Sequence, residues 1–194
     1  MEDELSLEEK QTLLHMAREA MEHGVRGKKL PPLSDNQLST HLRDKGASFV
    51  TLTIGGALRG CIGALEAYQP LADDVREHAI AAALEDPRFP PVREDELSRI
   101  NIEVSRLTRP LPLEYKDAAE LLSKIRPHVD GVIVRDEYGH RATFLPQVWE
   151  KIPDPADFFD NLCYKMGLPP HAWRSKHLQV LVYQVEEFRE TTNN

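Results

Sequence analysis

The residues with the most chemical promise sit in one short run, Leu58-Arg59-Gly60-Cys61-Ile62-Gly63. A thiol reacts as its thiolate, and a guanidinium beside it favours that form through opposite charge. Residues two apart on a strand share a face, so Arg59, Cys61 and Gly63 are expected on one side and Leu58, Gly60 and Ile62 on the other. Gly60 and Gly63 remove bulk around the sulfur. Glycine weakens a strand, and its usual reasons for being there are a bulge, a bend, or close approach of a ligand or another backbone. A strand ending near Gly63 would also leave backbone N–H groups able to hold an anion. The chemistry these types allow is nucleophilic or covalent-carrier work by Cys61, with Arg59 as thiolate stabiliser or anion anchor. The same residues support a plainer account, in which Cys61 is a small buried hydrophobe, Arg59 a structural ion pair and the glycines the makers of a bulge. No Asp–His pair lies close by in sequence, so a base would have to come from elsewhere in the fold.

Other candidates flank this run. Arg88 and Phe89, in the proline-fenced loop Asp86-Pro87-Arg88-Phe89-Pro90-Pro91, could line a pocket with the Cys61 strand, or Arg88 could simply pair with a carboxylate. His78 reads as a core histidine on the inner stripe of a helix. Cys163 shares a helical stripe with Phe159 and Leu162 and reads as core. The eight histidines show no paired metal-ligand spacing, and two distant cysteines make no zinc motif. No phosphate loop, dinucleotide fingerprint or nucleophile elbow occurs, so no cofactor or metal is expected.

Bulk properties narrow the class. The chain has 194 residues and a formal net charge of −8, which argues against a nucleic-acid binder. The one basic cluster, Arg26-Gly27-Lys28-Lys29, reads as a solvated loop. No apolar run approaches the roughly 20 residues of a membrane span. The first ten residues resemble neither a signal nor a transit peptide, and two unpaired thiols suit a reducing compartment, so a cytoplasmic protein is expected.

The elements that must position Cys61 can be read in order. Ser6 with Glu9 is a capping box opening a helix that Gly24 is expected to close. Ser34 is the expected N-cap of a second helix running to Gly46. Residues 48–54 alternate as a strand, Gly55-Gly56 marks a primed hairpin turn, and residues 57–62 return antiparallel. A helix follows Pro70, with Leu71, Val75, His78, Ala79, Ala82 and Ala83 inward. Residues 94–99 read as a helical turn and 100–107 as a strand. Asp117 caps a helix bearing Leu121, residues 131–135 and 142–145 form a hairpin, and 146–150 a short helix. Asp154 caps a helix burying Phe158, Phe159, Leu162, Cys163 and Met166, with Gly167 at its end. Residues 178–188 alternate as one long strand. With no repeat and no linker, the expectation is a single domain over 1–194 in which any second lobe shares the same core.

The hexapeptide at 58–63 resembles the signature of the AMMECR family. Phe49-Val50-Thr51-Leu52, Asp86-Pro87-Arg88-Phe89-Pro90-Pro91, Glu103-Val104-Ser105, Phe144-Leu145-Pro146-Gln147-Val148-Trp149 and Lys165-Met166-Gly167-Leu168-Pro169 with Trp173 fit the same family. The likeness spans about residues 47–188, with 1–46 as a helical part packed on it, and looks nearest to prokaryotic members of the AmmeMemoRadiSam system protein A type. It implies an α+β fold with a larger lobe around a mainly antiparallel sheet and a smaller sheet-bearing lobe. It implies as companions a MEMO-type protein and a radical S-adenosylmethionine enzyme acting on an unknown small molecule. The other reading of the family is a non-catalytic interaction or regulatory module, whose 58–63 segment shapes a docking groove.

Overall fold

Ser6 and Glu9 do set the start of the first helix. In the computed structural model, which describes residues 4–33 and 38–191, the Glu9 N–H donates to Ser6 Oγ at 3.2 Å and the Ser6 N–H to Glu9 Oε2 at 2.7 Å. Helix α1 (Leu7–Val25) buries Leu13, Ala17, Ala20 and Met21. It closes at Gly27 rather than Gly24. Gly27 takes a φ of +62°, and the Lys28 N–H reaches His23 O at 2.9 Å, the bonding of a left-handed helix cap. Gly24 makes room for Ile80 instead, whose side chain would lie 3.0 Å from an added Cβ.

Glu9 also ties α1 to the next element. Its Oε1 accepts from Ser39 Oγ at 2.5 Å and from His41 Nδ1 at 3.0 Å, and Ser39 is the N-cap of α2 (Thr40–Arg43). The expected cap Ser34 lies outside the described residues; α2 is short because the chain turns extended at Lys45. Burial pushes the Glu9 carboxyl up, but the hydrogen bonds from Ser39, Ser6 and His41 outweigh it and hold the pKa at about 2. A folded pKa below the unfolded one adds stability that is present above the unfolded value and lost as pH falls through the folded value. Glu9→Gln is therefore expected to cost roughly 1–2 kcal/mol at neutral pH, discounted for a partly wet site. In urea unfolding, the gap between variant and wild type should shrink between about pH 4.5 and 2. A gap that stays constant across that window would refute the assignment.

Alternation then builds a sheet. Strands β1 (Lys45–Ile54) and β2 (Ala57–Gly63) pair antiparallel. Gly55 and Gly56 take φ of +57° and +81° between them, as a primed turn requires. A two-residue β3 (Gln69–Pro70) pairs with the start of β1, and α3 (Leu71–Leu84) buries the stripe the sequence predicts. A 3-10 helix (Glu94–Arg99) leads into β4 (Ile100–Leu107), and the strand order is β2-β1-β4-β9, where β9 is Val185–Arg189. Val50, Leu52, Ile102 and Val104 pack with α1 and α3 in one core. Phe49, Thr51 and Thr53 alternate onto the opposite face, half-buried.

A second unit, residues 109–185, carries its own sheet in the order β5-β8-β6-β7. Its strands are β5 (Leu111–Pro112), β6 (Gly131–Arg135), β7 (Arg141–Phe144) and β8 (Gln179–Tyr183). Its helices are α4 (Ala118–Lys124), a 3-10 turn (Pro146–Glu150), α5 (Pro155–Lys165) and α6 (Ala172–Ser175). Trp149 stacks on Phe158 at 3.6 Å within a separate aromatic-rich core. Two sequence expectations are corrected here. The single strand over 178–188 is two strands, interrupted at Gln184, because β8 belongs to the second sheet and β9 to the first. The shared core is two cores, because Trp149, Phe158, Phe159 and Trp173 give residues 109–185 enough apolar surface to build one alone. The fold class is α+β, with a larger and a smaller sheet-bearing unit.

Candidate functional site

Strand β2 is an edge of its sheet, and at Cys61 that edge is covered by two side chains. The Cys61 N–H donates to Asp86 Oδ2 at 2.8 Å, and the Cys61 carbonyl accepts from Arg88 Nη2 at 3.3 Å. Both backbone groups thus point away from β1. Cys61 and its cross-strand partner Thr51 are then a pair without mutual backbone bonds, the kind whose side chains approach most closely. The Thr51 hydroxyl indeed donates to Cys61 Sγ at 3.3 Å. The Asp86–Arg88 pair stands in for a neighbouring strand, which satisfies the edge and blocks further pairing there.

The loop that supplies this pair is built around Asp86. Its carboxylate is buried, accepting from Arg88 Nε at 3.0 Å, Arg88 Nη2 at 2.7 Å and the Arg88 N–H at 3.1 Å as well as from Cys61. The Arg88 side chain holds it well below the ordinary carboxylate range against the opposing effect of burial, with the two backbone N–H groups adding to the hold. Asp86 in turn holds Arg88 in its charged form, with smaller contributions from the Cys61 side chain. The Arg88 guanidinium is half exposed and lies 5.6 Å from the centre of the half-buried Phe89 ring. Arg88 therefore touches both the Cys61 carbonyl and the Phe89 ring.

Arg59 goes elsewhere. The register shifts between Leu52 and Thr53, so that Gly60 faces Leu52 and Leu58 faces Thr53. Arg59 is the extra residue, and a bulge re-aims the side chain it carries. Its guanidinium bonds Glu96 through Nε at 2.8 Å and Nη2 at 3.1 Å, and this holds the Glu96 carboxyl below its usual range. Its Nη1 is buried without a hydrogen-bond partner.

Both glycines of the signature have close neighbours. A Cβ on Gly60 would lie 2.1 Å from the backbone carbonyl oxygen of Ala82, so α3 rests directly on this strand. A Cβ on Gly63 would meet the Phe49 ring and the Ser48 carbonyl oxygen, each at 2.4 Å. Gly60 faces the helices and Gly63 lies under an aromatic ring. His78 is buried with its Nδ1 3.2 Å from Asp74 Oδ2, and Cys163 is fully buried, as read from their stripes. Sequence reasoning gave no role to Asp86 or Thr51. Thr51 was legible as sharing a strand face with Phe49, and Asp86 as the polar residue opening the loop, but only the pairing register brings either to Cys61.

The arrangement offers a half-buried thiol with a hydroxyl donor at its sulfur, an arginine at its carbonyl and its backbone pinned on the outer side. Comparison with known proteins places this frame in a lineage. The family model AMMECR1 matches residues 14–188. A protein of Methanothermobacter thermautotrophicus is 44% identical over 191 residues, covering 96% of each chain. One of Thermofilum pendens is 41% identical, covering 97% of this chain and 92% of its own. The crystal structure of an uncharacterized protein, PH0010 from Pyrococcus horikoshii, matches with a TM-score of 0.73 and 34% identity over 96% of this chain and 93% of that one. With a family match over most of its length and relatives this similar from end to end, the chain belongs to the AMMECR1 family.

Proposed function

We propose that Cys61 is a reactive thiol, a nucleophile or covalent carrier for a small electrophilic substrate. It would work alongside a MEMO-type protein and a radical S-adenosylmethionine enzyme, companions that the family resemblance supports. The observation that carries the thiol reading is the half-buried Cys61 side chain, with the Thr51 hydroxyl 3.3 Å from its sulfur and Arg88 bonded to its carbonyl. In this reading Arg88 takes the part that the sequence suggested for Arg59. Its guanidinium supplies positive charge where the thiolate forms, while Arg59 fixes the bulge through Glu96. Asp86 aims the strand by holding the Cys61 N–H. Asp86 and Arg88 are thus positioning residues, and Cys61 is the group that touches substrate.

The test is the rate at which iodoacetamide alkylates Cys61 at neutral pH. Arg88→Ala is expected to slow it several-fold, and Arg88→Lys to restore part of the loss by returning a charge without the fork. Equal, ordinary-thiol rates in all three proteins would defeat the reading. A second reading, an interaction module, is favoured by the close packing at Gly60 and Gly63 and by the exposed Leu58 side chain. Cys61→Ser separates the two, because a docking surface keeps its affinity for a MEMO-type partner after that change while thiol chemistry ends.

A further inference from the structure

Asp86 and Arg88 carry opposite charges, and their order from inside to outside gives the Cys61 edge a polarity. The Asp86 carboxylate lies inside, its side chain 3% exposed, and accepts from the Arg88 side chain, the Arg88 N–H and the Cys61 N–H. The Arg88 guanidinium lies outside, its side chain 54% exposed. Its Nε and Nη2 serve Asp86, and Nη2 also serves the Cys61 carbonyl. None of these bonds uses Nη1, so among the described residues two N–H groups of this cation remain for a ligand. The Phe89 ring flanks the guanidinium at 5.6 Å, which leaves the Nη1 edge as the way in. The Cys61 side chain is close enough to help keep Arg88 charged. On the other side of the thiol the sign reverses. Thr51 faces Cys61 on β2 and Glu103 on β4, so one row across the sheet runs Cys61, Thr51, Glu103. Glu103 thus stands two strand spacings, roughly 10 Å, from β2. Arg189, 3.7 Å from Glu103, belongs to β9 and is one strand further off. A carboxylate in the middle of the face turns anions away from it and toward the edge.

We infer that the substrate of this thiol is a small carboxylate, anchored on Arg88 Nη1 with its electrophilic carbon at Cys61 Sγ; this rests on the reactive-thiol reading above. Arg88 reaches the carbonyl of the very residue whose sulfur reacts, so anchor and nucleophile are neighbours. The electrophilic carbon must therefore lie close to the carboxylate within the substrate. In the step itself the Cys61 thiol gives its proton to solvent and its sulfur forms a bond to that carbon. The leaving group departs with the electron pair of the bond that breaks. Charge-assisted bonds from a guanidinium to a carboxylate are among the stronger ones available. The local sign stands out because the chain as a whole carries −8 and repels anions. Arg88 then binds substrate as well as holding the strand, and Asp86 keeps it in place for both.

Iodoacetate and iodoacetamide test this, since they place the same reacting carbon beside a carboxylate or beside a neutral amide. The quantity read is the ratio of their rates at Cys61, by peptide mass spectrometry of the full chain, against the same ratio for 2-mercaptoethanol. The ratio cancels the thiolate fraction, so it reports the anchor alone. At low salt it is expected to exceed the reference about fivefold or more, and to fall as salt rises. Arg88→Gln should return it to the reference or below, and Arg88→Lys should keep part of the gain. Inorganic phosphate should slow iodoacetate more than iodoacetamide, when set against sodium chloride of equal ionic strength. That measurement on the wild type decides the matter if Arg88→Gln fails to fold. A wild-type ratio no higher than the reference, a raised ratio that Arg88→Gln leaves unchanged, or a phosphate effect equal for both reagents overturns the inference. An iodoacetamide rate that still depends on Arg88 would leave the reactive thiol standing without its anionic substrate.

Discussion

Gly60→Ala is expected to lower the free energy of unfolding by about 3 kcal/mol or more. The added methyl would lie 2.1 Å from Ala82 O and 3.1 Å from Ala82 C, both backbone atoms of α3. Overpacking against side chains usually costs about 1–3 kcal/mol, because rotamers can yield. Here the obstacle is a helix carbonyl, and the residue to be enlarged is held by its pairing with Leu52, so a whole element must shift. The loss is steric rather than conformational, since Gly60 is not among the glycines with positive φ. Urea unfolding checks the magnitude, with Leu58→Ala two residues away as the control. Leu58 is 43% exposed, and its truncation should stay within about 0.5 kcal/mol of wild type. A Gly60→Ala protein as stable as that control would show that α3 does not rest on the strand. The same variant should change the alkylation rate of Cys61, because α3 ends at Leu84 and runs directly into the loop that carries Asp86. Stability and reactivity are thereby coupled through one close contact.

That contact also marks where sequence reasoning stops. Period-two alternation in 48–54 and the paired glycines at 55 and 56 determine a hairpin almost by themselves, since local sterics leave few alternatives. The capping signals at Ser6, Asp117 and Asp154 act within one turn and are equally legible. What sequence does not carry is which backbone will meet a glycine. Gly24 and Gly27 are chemically identical candidates for closing α1, and Ile80, from a distant helix, is what claims the first. Arg59 fell to the same ignorance. Strict alternation puts it beside Cys61, whereas a one-residue slip in pairing sends it to Glu96. Gln184 hides a change of sheet inside an unbroken alternating run, because alternation is a property of a strand and says nothing about its partner. At the candidate site Cys61 stands out in the sequence by its glycines, and Arg88, which reaches its carbonyl, by its proline fence. Asp86 and Thr51 were not, because their parts depend on which backbone groups of β2 face outward.

The two cysteines should differ in alkylation rate by about a thousandfold or more in the native protein. Cys163 has no exposed surface and sits among Phe159, Leu162 and Trp173, and burial pushes its thiol pKa up. Reagent can reach it only when that core opens, and core openings approach the cost of global unfolding. Cys61 is half-buried, bordered by Thr51 on the face away from the helices, and needs no such event. Peptide mass spectrometry after timed iodoacetamide treatment separates the two rates, and urea should bring them together as the protein unfolds. If Cys163 labels as fast as Cys61, its core is not closed. If neither labels before unfolding, the thiol at 61 is sealed and the nucleophile reading falls with it. The expected result leaves a single thiol that an electrophile can meet in the folded chain. Its surroundings are then responsible for whatever selectivity it shows, and they are set by one carboxylate. Asp86 holds both the strand that carries Cys61 and the guanidinium that accompanies it.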